Sequence, residues 1–172
     1  ISLIRSLNVF DDGFRKGKLA FIDETQAEKL NNVTIEIGDV LLNITGASVA
    51  RCCIAPSECL PARVNQHVSI IRLKEDTMSS EFLHYLLIAK LNKDLLLGIG
   101  DQGATRQAIT KKQIESFIIS YPEGDKEQKQ SIRLINNLKN QILSLESKYQ
   151  QELNSLQELK KSILEKAFAG EL

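Results

Sequence analysis

From Asp125 to Ala169 the chain contains neither proline nor glycine, and this stretch constrains the fold more than any other. With Ile135 as position a of a heptad, Ile142, Tyr149, Leu156 and Ile163 follow in unbroken sevens. The d positions hold Leu138, Leu145, Glu152, Leu159 and Lys166. An apolar repeat of this period belongs to a helix that packs along another helix. The expected helix is roughly 65 Å long at 1.5 Å per residue, and Gly170 stands where a helix C-cap belongs. A helix lying wholly on its own domain would show the same stripe, but this length favours a partner helix. In a parallel homodimer Glu152 would meet Glu152, and Lys166 would meet Lys166, inside the seam. An antiparallel pair centred near residue 150 instead sets Glu152 beside the partner's Tyr149 and Lys166 near the partner's Ile135. The antiparallel arrangement is therefore expected.

The preceding two thirds follow a different pattern. "SLIRSL", "KLAFID", "DVLLNIT", "VARCCIA" and "HVSIIRL" are β-branched or apolar runs bounded by Gly, Asp, Asn and Pro, and they read as strands. Gly38-Asp39 and Thr45–Ser48 look like turns, so residues 35–55 are expected to hold a hairpin. Thr25 and Glu28 have capping-box spacing. Ser79 or Ser80 is placed to cap a helix over about 81–97, whose Phe82, Leu83, Leu86, Leu87, Leu91 and Leu95 form one apolar stripe. The predicted class is α+β: a mixed small β domain with short helices over 1–124, followed by one long C-terminal coiled-coil helix over 125–172.

With 42% apolar and 26% charged residues, the composition is that of a globular rather than a disordered chain. The apolar runs fall far short of the roughly 20 residues a membrane span needs, and no basic-then-apolar leader opens the chain. It begins on Ile1 rather than Met, so an N-terminal piece is expected to precede it. Three cysteines, two of them adjacent, do not make a disulfide framework, and a reducing cytoplasm is expected. Formal net charge is zero, 22 Lys and Arg against 22 Asp and Glu, so the chain is not a uniformly basic module. Locally, however, Arg51, Arg63 and Arg72 face only Glu58 within 46–72, and Arg106, Lys111 and Lys112 face no acid within 102–114. Such stretches suit phosphate contacts, although solvated surface charge uses the same residues.

Gly98-Ile99-Gly100-Asp101-Gln102-Gly103 fits the G-x-G-x-x-G of a dinucleotide turn, with Glu123 20 residues beyond it. That turn needs a strand before it and a helix after it, so that helix N–H groups meet the pyrophosphate. Here a predicted helix precedes it, and Thr105-Arg106-Gln107 bring bulk where phosphate should approach. "GFRKGKL" at 13–19 has three residues between its glycines where a P-loop has four, and Leu19 in place of a hydroxyl. Cys52 and Cys53 would point to opposite faces of a strand. With Cys59 and His67 they read as buried thiols and a bystander histidine rather than a zinc site. His84 reads as a helix-surface residue. No catalytic residue, metal site or cofactor is predicted.

What remains are hydrogen-bonding clusters beside turns. They comprise Arg5, Ser6 and Asn8; Arg51; Arg63, Asn65, Gln66 and His67; and Gln102, Thr105, Arg106 and Gln107, followed by Lys111 and Lys112. Arg, Asn and Gln can pair bidentately with guanine or adenine edges, and the lysines suit phosphates. Capping and loop bracing employ the same residue types.

Taken in order, "LIRSLNV", "GDVLLNITGASVARCCIA", "VNQHVSIIRL", "FLHYLL", "GATRQAITKKQIESFIISYP" and "LKKSILEKAFAGEL" resemble the specificity subunit of type I restriction–modification systems. The resemblance covers nearly the whole chain, as one target-recognition domain plus one helix. It implies a non-catalytic protein reading one half of a bipartite, gapped site in double-stranded DNA. Implied partners are adenine methyltransferase (modification) subunits, a restriction subunit, and a second half-subunit or another copy. The helices would pair antiparallel as a ruler through Ile135, Leu138, Ile142, Leu145, Tyr149, Leu156, Leu159 and Ile163. The same likeness places "GIGDQGATRQAIT" in a glycine-shaped turn before the domain's last strand. The family's usual segment before "LIRSLNV" and its second recognition domain are not in the sequence; a fragment, a truncated gene or a natural half-subunit would each fit. A protein-only coiled-coil assembly module is the competing reading, and a nucleotide-dependent enzyme ranks last.

Overall fold

The computed structural model describes residues 1–74, 78–101 and 107–171. Among these, short strands run through the first part: β1 (Ser2–Ile4), β2 (Val9–Phe10), β3 (Gly13–Phe14), β4 (Ala20–Phe21), β5 (Val40–Asn43), β6 (Cys52–Ile54), β7 (Ala62–Val64) and β8 (Val68–Ile71). The helices are α1 (Glu24–Glu28), α2 (Ser80–Ile88), α3 (Lys90–Gly100), α4 (Lys111–Glu115) and α5 (Asp125–Ala169). Two units result, Ile1–Gln128 and Lys129–Leu172.

Strand β5 explains the first unit. It lies between β6 and β8, antiparallel to both, and all four of its residues are buried. A strand buried on both faces needs a core on each. Leu41 joins Ile4, Val9, Cys53 and Val64 in one cluster, while Val40 and Leu42 join Cys52, Leu83, Leu87 and Leu96 in the other. The register sets Leu41 opposite Cys53 and Leu42 opposite Cys52, so the adjacent cysteines do face opposite ways, as a period of two demands. Each leucine fully buried here contributes roughly 1.5–3 kcal/mol. A second sheet, ordered β4-β1-β7, pairs β1 antiparallel with β4 and parallel with β7, and β2 with β3 forms a separate hairpin. The expected hairpin within 35–55 is β5–β6, and the class is α+β.

Several local expectations are corrected. Helix α1 is capped by Asp23, not Thr25: Gln26 N donates to Asp23 Oδ1 (2.7 Å), and Gln26 supplies the return contact. Thr25 already lies inside the helix. Ser79 does cap α2, accepting from Phe82 N (3.1 Å), but the single helix over 81–97 is two helices. Ala89 breaks it with extended backbone (φ −56°, ψ 136°), and Asn92 Nδ2 donates to the freed Leu86 carbonyl (2.9 Å). The bend carries Leu96 into the core and leaves Leu91 and Leu95 exposed. Gly98 and Gly100 lie within α3 rather than in a turn, so a helix, not a strand, precedes the dinucleotide-like motif. Gly100 is the close-packed one, since a Cβ there would meet the Val49 methyls at 3.5 Å. After residues 102–106 the chain makes one bridge, Ala108 to Thr45, and then α4 under a Thr110–Gln113 capping box. The described residues 116–122 form no strand where a last strand was expected.

The second unit continues α5. Gly170 ends this helix with φ +73°, and Glu171 N donates back to Lys166 O (2.9 Å), the left-handed cap that suits glycine. Ile135, Leu138, Ile142, Leu145, Tyr149, Leu156, Leu159 and Ile163 are all exposed.

Candidate functional site

Asn43 closes β5 with a buried side chain and organises the surface beyond it. Its Nδ2 donates to Ser6 O (2.9 Å). Its N–H donates to Arg51 O, and its carbonyl accepts from Ala50 N, each at 2.8 Å. One residue thus ties the 3₁₀ turn Ser6–Asn8 to the entry of β6. Ala50 sits there at φ +64°, a left-handed backbone that costs a residue with a Cβ roughly 1–2 kcal/mol. Lys93 Nζ donates to the Ala50 carbonyl and to both oxygens of Asp11 (2.9 and 2.8 Å), and these partners hold the conformation.

Around this hub, Ser6, Leu7, Phe10, Thr45, Gly46, Ala47, Ser48, Arg51 and His67 line one open hollow of about 430 Å³. No carboxylate is among them. Thr45 Oγ1 and His67 Nδ1 share a hydrogen bond of 2.7 Å. The 45–48 turn is also stitched to the residues flanking 102–106. Gly46 N donates to Gln107 O (2.9 Å) and Ala108 N to Gly100 O (3.1 Å), while Gln107 Nε2 donates to Asp101 Oδ1 (2.7 Å). Ser6, Arg51, His67 and Gln107 therefore come together, although they are far apart in sequence. Gln102, Thr105 and Arg106 lie outside the described residues.

Other candidates have different places. Asn8 is buried and braces its own loop: Oδ1 accepts from Arg5 N (3.1 Å), and Nδ2 donates to Arg15 O (2.9 Å). Arg5 donates to Lys18 O (2.6 Å). Arg63 is buried on β7, donating to Ala27 O (3.3 Å) and Asn31 Oδ1 (2.9 Å). Asn65 accepts from His67 N (3.2 Å). Asn65, Gln66 and Lys111 line a second cavity of about 650 Å³ with Leu3, Val33, Ile44, Val64 and Ile114. Lys111 forms an exposed pair with Glu115 (3.6 Å), and Lys112 is exposed. Arg72, the remaining cation of the acid-poor 46–72 stretch, grips the buried Asp39 with two 2.8 Å bonds. The Asp39 carboxylate raises the Arg72 pKa above its ordinary value.

Burial pushes the Cys52 and Cys53 thiols up to about 12, so both are protonated at neutral pH and poor nucleophiles. His84 is not simply on the helix surface: its Nε2 donates to Asp11 O (3.1 Å) and Cys52 O (3.2 Å), tying α2 to the β sheet. Among the described residues no group of three or more His, Cys, Asp or Glu is placed to hold a metal ion. None of their helices is long and apolar enough to cross a membrane.

Sequence reasoning missed Phe10, Asn43 and the lining role of Thr45–Ser48. The legible signal was the lone amide ending the apolar run "VLLN"; the neighbouring "TGAS" reads only as a turn. What the hollow offers is a hydroxyl (Ser6), a guanidinium (Arg51) and an imidazole (His67), without a carboxylate in its lining. Groups of these kinds can donate to anionic oxygens such as those of phosphate.

The sequence profile of the type I restriction modification DNA specificity domain family matches residues 10–155. No curated protein sequence matches at a significant level. Among solved structures, one chain from a study of complex assembly and conformational transition in the type I R-M system has the same fold, with a TM-score of 0.72 at 21% identity. The match covers 100% of this chain and 39% of that one.

Proposed function

The chain belongs to the type I restriction–modification DNA specificity domain family, and from that premise we propose that it reads one half of a bipartite DNA target for partner subunits that methylate and cleave. Residues 1–124 serve as the target-recognition domain; residues 125–172 set spacing and dock an adenine methyltransferase. The observation that carries the reading is the convergence of Ser6, Arg51 and His67 on one hollow with no carboxylate in its lining, with Gln107 joined to its rim through the Gly46 N–H. Gln66 and Lys112 are exposed nearby in sequence and complete the candidate contacts, with Gln102, Thr105 and Arg106 in the adjoining segment. Arg5 and Asn8 brace the turn that carries Ser6, while Arg63 braces β7 against α1. The exposed stripe of α5 supports pairing with another copy or a second half-subunit, antiparallel for the reason of charge at Glu152 and Lys166. A restriction subunit joins the assembled complex.

The test is co-expression with the genomically neighbouring methyltransferase, followed by methylome sequencing. A bipartite adenine-methylated site should appear. Inserting one heptad after Glu146 lengthens the helix by about 10 Å at 1.5 Å per residue, and should widen the gap while leaving each half-site unchanged. A chain that co-purifies with protein but gives no sequence-dependent methylation would instead be an assembly module.

A further inference from the structure

The arginines described in residues 1–128 fall into two groups. Arg5, Arg15, Arg63 and Arg72 each donate to an oxygen of the fold, respectively Lys18 O, Asp12, Ala27 O with Asn31, and Asp39 with Glu36. Arg51 does not. Its guanidinium carbon stands 4.8 Å from the Phe10 ring centroid, and no side-chain hydrogen bond engages it among the described residues. A half-buried guanidinium whose donors are unmet contributes little to folding, whereas an aromatic face holds the group and leaves its N–H edge free.

The surroundings fix both partners of this stack. Phe10 is followed by Asp11, whose carboxylate accepts from Cys52 N (3.1 Å) and from Lys93, so the ring's backbone is anchored to β6. Arg15 lies over the same ring at 5.1 Å and is itself held by Asp12. Arg51 follows Ala50, whose left-handed backbone is kept by Asn43 and Lys93. Strain maintained by several partners next to a side chain with free donors marks a functional position. A phosphate can be met by a flexible cation from many directions, but a base edge is met in one plane. A clamped guanidinium in a hollow therefore suits the edge.

We propose that Arg51 is a specificity-determining residue, reading a guanine edge bidentately, and that Phe10 is the positioning residue that holds it for this contact. The proposal rests on the DNA-recognition reading above. Its test uses the full chain assembled with its methyltransferase subunits, on a duplex carrying the methylated target and on a scrambled duplex. Arg51→Ala and Arg51→Lys should each weaken target binding on the order of tenfold to a hundredfold while leaving the scrambled duplex nearly unchanged. One base position of the methylation pattern should relax. Phe10→Leu should relax that same position, add nothing further in the Arg51→Ala background, and be rescued by Phe10→Tyr, which restores a ring. Arg51→Lys binding the target like wild type, or equal losses on both duplexes, would overturn the base-reading role and leave a backbone contact. Loss of preference in Phe10→Leu that Phe10→Tyr fails to rescue would overturn the positioning role. A wild-type complex that methylates without sequence preference would bring down the DNA-recognition reading itself, and this proposal with it.

Discussion

In the first unit Leu41, Leu42, Leu83 and Leu96 are at most 4% exposed, whereas in α5 Leu138, Leu145, Leu156 and Leu159 are at least 52% exposed. The same side chain thus serves two kinds of stability. Residues 1–128 complete their own cores on either face of β5, and their stability is a property of the single chain. The apolar stripe of α5 gains from burial only when another surface covers it, so its contribution depends on concentration and partner.

The largest expected effect tests the self-sufficient unit. Leu41→Ala removes a fully buried side chain from the wall between two cores and should cost about 2–5 kcal/mol, read as a lower calorimetric transition. The cross-linking behaviour of α5 should not change. A cost under about 1 kcal/mol would mean that the central strand is not what holds this unit together.

The next effect tests the dependent unit. Ile142→Ala should leave that transition in place yet weaken self-association by up to roughly 1.5–3 kcal/mol, the value of an aliphatic anchor buried on pairing. Sedimentation at micromolar concentration reads it; a wild-type monomer would remove the basis of the comparison. A cysteine introduced by Lys166→Cys should fail to cross-link to its own copy, because antiparallel helices keep the two sites apart.

A smaller effect follows from the thiols. The pKa values of Cys52 and Cys53 rise in the folded state from 9.0 to about 12, so the folded state binds more protons between those limits. Their stabilisation is present below pH 9 and declines as pH rises toward 12, by an amount on the order of 1 kcal/mol per thiol at pH 10. Comparing Cys52→Ala and Cys53→Ala with wild type by denaturation at pH 8 and 10 isolates this slope. Both thiols should also resist alkylation in the folded protein at pH 8.

The smallest effect concerns exposed charge. Lys111→Ala and Lys112→Ala should weaken target and scrambled duplexes alike, each flattening the salt dependence by about one unit. A change in target preference from either would move α4 from the phosphates to the bases.

The sequence made the helix legible because its heptads and its lack of Gly and Pro are local signals. The β5–β6 hairpin was legible for a similar reason, with its turn residues flanking short apolar runs. The break at Ala89 was hidden because Leu91 and Leu95 continue a helical stripe that only the three-dimensional position of Leu96 contradicts. Strand β7 was concealed by Arg63, a charged residue buried through partners more than 30 positions away in sequence. Phe10 and Asn43 escaped notice because their roles arise from contacts across the fold, to Arg51 and to Ser6. No periodicity reports such contacts.

The seam beside residues 102–106 has one more consequence. Gly46 N–H on Gln107 O, Ala108 N–H on Gly100 O and Ile109 N–H on Ile44 O are all main-chain bonds, and main-chain atoms are common to nearly every amino acid. Gly46 is the exception, because its φ of +72° favours glycine. Side-chain substitutions at Gln107, Ala108 or Ile44 therefore leave these three bonds available, whereas a change at Gly46 disturbs the first of them.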